Sequence, residues 1–243
     1  MIIYKLSCRY IFTVIYIILY AYDASFGGNV VENAEERAYR HIISEILTGA
    51  YRPGDFLLEL DIAPKLNMSR TPVSSALSRL VLEGFLNKMP KKGCYIPIPT
   101  PKDAEHVFTA RQVAEGEAAA LAAKYATDEE ISFLESGRSL DHAAFENKDK
   151  EMWANINEEF HLSIAKFCRN EYIEKWVKNM FWRSNVYIFY FDGFYKPTDV
   201  VIEHKTPSQH AAVVKAISKR DSKEARQLME RHIYTTYSQL LIS

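Results

Sequence analysis

The order of apolar and polar positions divides the chain into stretches of different period. From Ala34 to Leu47, the residues Ala38, Ile42, Ile43 and Ile46 recur at helical spacing and predict an amphipathic helix. Gly49 stops it, and "RPGD" (Arg52 to Asp55) turns the chain. A short second helix is predicted from about Leu60 to Leu66, with Pro64 tolerable there only near the first turn. Asn67 takes the tight turn that follows, where a residue tolerant of left-handed backbone is needed. Ser69 or Thr71 then caps a third helix with Pro72 in its first turn, and Val73, Ala76, Leu77 and Leu80 form its buried stripe. "LNKMPKKGCYIPI" (Leu86 to Ile98) reads as two short strands joined by a basic turn. Helix, helix, turn, helix and basic hairpin make a winged helix-turn-helix over residues 34–99.

"IPIPTP" (Ile96 to Pro101) cannot continue a helix and reads as a linker. Beyond it, six helical patterns run over Ala104 to Tyr125, Asp128 to Asn147, Lys150 to Cys168, Glu171 to about Tyr190, Pro207 to Lys219 and Ser222 to Leu241. They predict an all-α bundle over residues 100–243, so the fold class is mainly α. Residues 1–33 stand apart. After Lys5 and Arg9, an apolar run from Tyr10 to Tyr22 is short for a membrane span and similar to the core of a signal peptide. An export signal, a membrane anchor and upstream sequence included through a wrong start codon are the three readings. If the rest is a cytoplasmic DNA-binding protein, export makes no sense, so a start-site error or an atypical extension is preferred and the segment is set aside from the fold argument.

Charge sharpens the picture locally. The net charge is only −1, yet between Pro64 and Gly93 stand Lys65, Arg70, Arg79, Lys88, Lys91 and Lys92 against one acid, Glu83. A basic segment on a mildly acidic body suits a small DNA-binding module attached to a sensor, although a solvated face would look the same by charge alone. Lys91 and Lys92 in the wing could reach phosphates or a minor groove. The cysteines Cys8, Cys94 and Cys168 are far apart and odd in number, which fits a reducing, cytoplasmic compartment rather than a disulfide framework.

Histidines supply the candidate chemistry. Asn157 and His161 in "NINEEFHLS" are four apart and project from one helical face. His210 in "TPSQHAAVVKAI" and His232 in "LMERHIYTTY" lie on two further helices. In an antiparallel bundle, imidazoles from three helices can converge on one ion, while a single histidine is more often a surface or core residue. Arg111 could bind a carboxylate through its forked guanidinium or form a surface pair with Glu115, one turn on. In the aromatic stretch Phe181 to Lys196, Arg183 or a tyrosine could line a pocket.

The segment "LTGAYRPGDFLLELDIAPKLNMSRTPVSSALSRLVLEGFLNKMPKKGCYI" resembles the DNA-binding domain of the GntR family of bacterial transcriptional regulators. The shared features are the "G-x-x-x-PG" turn, "SRTPV", "AL-x-RL", "EG" and the basic wing. The resemblance implies DNA contacts from Arg70, Thr71, Ser74, Ser75, Ser78, Arg79, Lys91 and Lys92. The family usually has Arg-Glu at Ser74 and Ser75 and often a basic residue at Ser78. Serine discriminates bases weakly, so the helix is expected to dock on DNA with altered or relaxed specificity.

Residues 102–243 resemble the helical FCD ligand-binding domain of the FadR subfamily, through "TARQVAEGEAAALAA", "EEFH-x-x-I", "RNEYI" and the late "H-x-x-V-x-x-AI…HI" pattern. That implies a divalent metal, zinc or nickel, on Asn157, His161, His210 and His232, with Arg111 as the effector contact. Asn157 stands where the family usually has aspartate. A neutral carbonyl weakens metal binding and shifts the burden to the effector's own carboxylate. The expected protein is a homodimeric, carboxylate-responsive regulator of operator DNA, with no membrane partner and no catalytic residues. The alternatives are a degenerate regulator without specific DNA binding and, less favoured, a metal-dependent enzyme. Against the enzyme, no general base such as the Glu of an H-E-x-x-H pair is evident.

Overall fold

The computed structural model describes residues 33–47, 49–146, 150–191 and 206–240, so the expectations for the N-terminal extension and for residues 192–196 lie outside it. The first described helix, α1 (Ala34–Leu47), buries Ala38, Ile42 and Ile46 of the four positions its periodicity singles out, and Ile43 is half-buried against the same core. α2 (Glu59–Lys65) and α3 (Arg70–Leu82) follow, joined through Asn67 at a φ of 53°. Pro64 lies in the second turn of α2 rather than the first. The carbonyl it fails to serve belongs to Leu60, which is 55% exposed, so water can take the place of the missing N–H. Ser69 occupies the N-cap of α3 in extended backbone, but its hydroxyl makes no capping bond. Val73, Ala76, Leu77 and Leu80 form the buried face of α3, as patterned.

The wing is the antiparallel pair β2 (Asn87–Met89) and β3 (Gly93–Tyr95), in register with Asn87 opposite Tyr95 and Met89 opposite Gly93. A third strand, β1 (Phe56–Leu57), pairs with the other edge of β3. Two residues carry no readable period, which is why the pattern gives no strand there. The wing tip turns through Lys91 at a φ of 65°, and Gly93 follows at 109°, where a Cβ would lie 2.8 Å from the Leu58 side chain. The expected linker is shorter than its prolines suggest. Ile96 still pairs with the Gly54–Asp55 turn, and Pro101 is already the first residue of α4 (Pro101–Tyr125). Thr100 accepts the Asp103 N–H as its cap, and a proline at that position gives up a donor the helix could not use.

The remaining helices are α5 (Asp128–Glu146), α6 (Lys150–Phe167), α7 (Glu171–Phe191), α8 (Thr206–Ser218) and α9 (Ser222–Ser238). α4 runs through their middle, packed against α9, α7, α6 and α8. Its inner stripe of Ala114, Ala118, Ala119 and Ala122 lets those neighbours approach closely. The winged module is seated on α7. Phe85 lies 5.6 Å from Trp182 and 6.4 Å from Phe189 between ring centroids. Around it, Glu83 accepts from the Tyr39 hydroxyl (2.7 Å) and pairs with Lys178 (3.2 Å), and the Tyr190 hydroxyl donates to the Tyr51 carbonyl (2.6 Å). Among the described residues, no helix is long and apolar enough to cross a membrane.

Candidate functional site

Two regions hold the residues that the sequence singles out. On the winged module, Arg70, Thr71 and Ser78 of α3 and Lys91 and Lys92 of the wing are exposed, and Ser75 is half-buried. Ser74 and Arg79 have partners inside the module. The Ser74 hydroxyl donates to Glu59 of α2 at 3.2 Å. Arg79 donates from Nε to Glu83 (3.2 Å) and from Nη1 to Glu36 (2.8 Å), with its guanidinium 3.9 Å from the centre of the Tyr39 ring. These contacts use two of its five N–H donors and hold the guanidinium against the Tyr39 ring rather than toward a base edge. Arg70 and the wing lysines are the exposed cations of α3 and the wing, and Arg79 is half-buried.

In the bundle the three histidines come together. His161 of α6, His210 of α8 and His232 of α9 are each 2% exposed, with ring nitrogens within 4.8 Å of one another. The His232 Nε2 stands 3.2 Å from the His210 Nε2 and 3.3 Å from the His161 Nε2. The outer nitrogens are engaged elsewhere. His161 Nδ1 meets Glu115 at 2.5 Å, and His232 Nδ1 meets the Gln209 side-chain oxygen at 3.0 Å. An acceptor on Nδ1 fixes the proton there and leaves the Nε2 lone pair pointing inward. The His210 ring is stacked on Phe160 at 3.8 Å. Inward lone pairs at this spacing fit one cation. Metal–nitrogen bonds of about 2.0–2.1 Å place neighbouring ligand atoms about 2.9 Å apart in octahedral and about 3.4 Å apart in tetrahedral geometry. Asn157, one turn before His161 on α6, is half-buried.

Arg111 is in the interior, 1% exposed, where the sequence left an effector contact and a surface pair open. It does pair with Glu115, Nε to Oε1 at 2.5 Å, but the pair is buried. Nη1 donates to Ser184 of α7 at 2.7 Å, and Nη2 is a buried donor with no partner. Burial works to raise the Glu115 pKa, but the Arg111 guanidinium and the His161 ring override it and bring the carboxyl down to about 2. Burial pulls His161 down to about 4 against the pull of Glu115, and it also lowers His232. At neutral pH His161 and His232 are therefore neutral imidazoles beside the Arg111–Glu115 ion pair, and a neutral imidazole is the form that binds metal. Arg183 is not part of it. Together with the Tyr187 hydroxyl it bonds Asp103, in the first turn of α4.

Gln209 and Ser184 are the members that the sequence reading misses, and Glu115, read there only as a possible surface partner of Arg111, is missed as a buried partner of His161. Glu115 could have been found, since it shares a stripe with Ala114, Ala118 and Ala119 and an acid on a buried stripe must be paired. Gln209 gave no signal: it is next to His210 in the chain but serves His232.

Comparison with known proteins places both regions. Residues 34–96 match the model of the bacterial regulatory proteins of the gntR family, and residues 106–235 match the FCD domain. The Nta operon transcriptional regulator of Aminobacter aminovorans is 28% identical over 191 residues, 79% of this chain and 87% of that protein. The transcriptional repressor RspR of Escherichia coli is 22% identical, over 84% of this chain and 88% of its own. Among solved structures, E. coli McbR/YncC superposes with a TM-score of 0.68 at 22% identity, covering 85% of this chain and 98% of that one. The chain belongs to the gntR family of bacterial regulatory proteins, as a transcriptional regulator that joins a DNA-binding helix-turn-helix to an FCD ligand-binding domain.

Proposed function

We propose that the protein is a metal-assisted, carboxylate-responsive regulator of the FadR subfamily, acting as a homodimer on paired operator half-sites. The convergence of three inward-facing imidazole nitrogens beside a buried arginine with an unpartnered donor carries this reading. His161, His210 and His232 would hold a zinc or nickel ion, with the Asn157 carbonyl as a fourth donor. The ion would supply positive charge and Lewis acidity for one carboxylate oxygen. Arg111 offers Nη2 to the same carboxylate while Glu115 and Ser184 hold its other donors. Because Ser184 lies on α7, the helix on which Phe85 and Glu83 of the winged module rest, a shift of Arg111 has a short route to the DNA-binding face. Arg70, Thr71, Ser75, Ser78, Lys91 and Lys92 are assigned to DNA, with Ser74 and Arg79 behind them. Operator logic supports the dimer, since two modules on two half-sites multiply a weak single-site affinity.

The test has two arms. The purified protein should carry about one divalent metal per chain by mass spectrometry, and His161→Ala/His210→Ala should lose it with helix content intact. Unchanged metal stoichiometry in the double variant removes the site. Selection from fragmented DNA of the source genome should return one enriched pseudopalindrome. Binding that is salt-sensitive but blind to sequence would favour the degenerate regulator, which the internal partners of Ser74 and Arg79 already make a coherent second reading.

A further inference from the structure

A cavity of about 30 Å³ lies beside His210, between α5, α6 and α8. Phe133, Leu134 and Gly137 of α5, Ile156, Glu159 and Phe160 of α6, and His210 and Val214 of α8 line it. Only His210 and Glu159 bring polar side-chain atoms, and neither lysine nor arginine is in the lining. A water occupies about 10–15 Å³ of such space, so there is room for a group of roughly two or three heavy atoms. Gly137 leaves the wall open, since a Cβ there would meet nothing within 4 Å.

The geometry points to this cavity as the seat of the effector's apolar end, which makes the effector a compact aliphatic monocarboxylate rather than a dicarboxylate or a sugar acid. The inference rests on the proposal that the carboxylate end is anchored at the three-histidine site and Arg111. His210 belongs to both places, with one ring nitrogen in the metal cluster and its ring in the cavity wall. A carboxylate anchored beside it can therefore extend a short chain directly into the cavity. A second carboxylate would be buried there without a cation and next to Glu159, an arrangement that proteins avoid. A polyhydroxylated chain would leave hydroxyls unpaired against Phe133, Leu134, Ile156 and Val214. Six apolar neighbours on a small volume instead reward each methylene that enters.

The test is calorimetric titration of the zinc-loaded full chain with acetate, propionate, butyrate, hexanoate and succinate. Affinity should rise about four-fold per methylene from acetate to butyrate. It should gain nothing at hexanoate, and succinate should bind more weakly than butyrate. Gly137→Leu fills the cavity from a helical position that accepts leucine well. It should bring propionate and butyrate down to the acetate affinity, with zinc content, helix content and acetate binding unchanged, and Gly137→Ala should fall between. A flat series, tighter binding of succinate, or a chain-length gain that survives Gly137→Leu overturns the cavity assignment. A gain that depends on Gly137 but persists after zinc is chelated keeps the cavity and refutes the metal anchor. Absence of binding at every chain length overturns both.

Discussion

A carboxylate among alanines in the middle of a bundle survives only with charged or donating partners on its oxygens, and Glu115 has one on each. Arg111 Nε meets Oε1 and His161 Nδ1 meets Oε2, both at 2.5 Å. The two contacts have different consequences. The first neutralises a buried guanidinium, and the second sets which nitrogen of His161 is free. Glu115→Gln keeps the shape and an accepting oxygen but removes the charge. Breaking a buried pair from one side costs about 3–5 kcal/mol, because the remaining cation is stranded. Loss of an outer-shell partner to a metal-binding histidine costs about 10–100-fold in metal affinity. We expect Glu115→Gln to show both losses, in urea denaturation and in competition for zinc against a chelator. Lower stability with unchanged zinc affinity would reduce Glu115 to a structural counter-ion. At this scale the sequence was half legible. The spacing of Arg111 and Glu115 shows that they meet, but only the packing of α4 shows that they meet in the interior, where the same contact acquires a role toward His161.

Helix α7 is the element on which the two regions meet. Ser184 holds Arg111, Arg183 and Tyr187 hold the first turn of α4 through Asp103, and Lys178, Trp182 and Phe189 receive the winged module. Phe85 is the central contact of that seat, fully buried and flanked by two α7 rings. Phe85→Ala should cost about 3–5 kcal/mol, the range for truncating a buried phenylalanine. It should also free the winged module from α7, seen as faster proteolysis in the 97–100 segment, while the metal content of the bundle is retained. An unchanged cleavage rate there would mean that the polar contacts of Glu83 and Tyr190 hold the module by themselves. The helices of both regions were legible because each buries one face of a long periodic pattern. The seat on α7 was not. Phe85 follows the last turn of α3 in a stretch with no period, and its partners lie about a hundred residues further along the chain. β1 was illegible for a similar reason, since its two residues owe their extended form to an edge of β3 rather than to any pattern of their own.

Across the whole molecule, the near-zero net charge means that attraction to DNA must come from a local set of cations, and the exposed ones between Pro64 and Gly93 are Lys65, Arg70, Lys88, Lys91 and Lys92. Each phosphate contact releases condensed counterions and adds about 0.9 to the slope of log affinity against log salt. Lys91 and Lys92 stand at the wing tip, where Lys91 turns the backbone through left-handed geometry and both side chains remain exposed. Reversing both charges with Lys91→Glu/Lys92→Glu should weaken binding to all sequences alike and lower the salt slope. The size of the drop also counts chains. One wing per complex gives a loss of about 2, and two wings on paired half-sites give about 4, provided each lysine faces a phosphate. Fluorescence anisotropy over a salt series, with the wild-type and reversed proteins on the same duplex, reads both values directly. A drop near 4 would support the homodimer on DNA independently of any measurement on the free protein. A slope that does not change would take the wing out of the interface and leave Arg70 and the face of α3 to carry the binding.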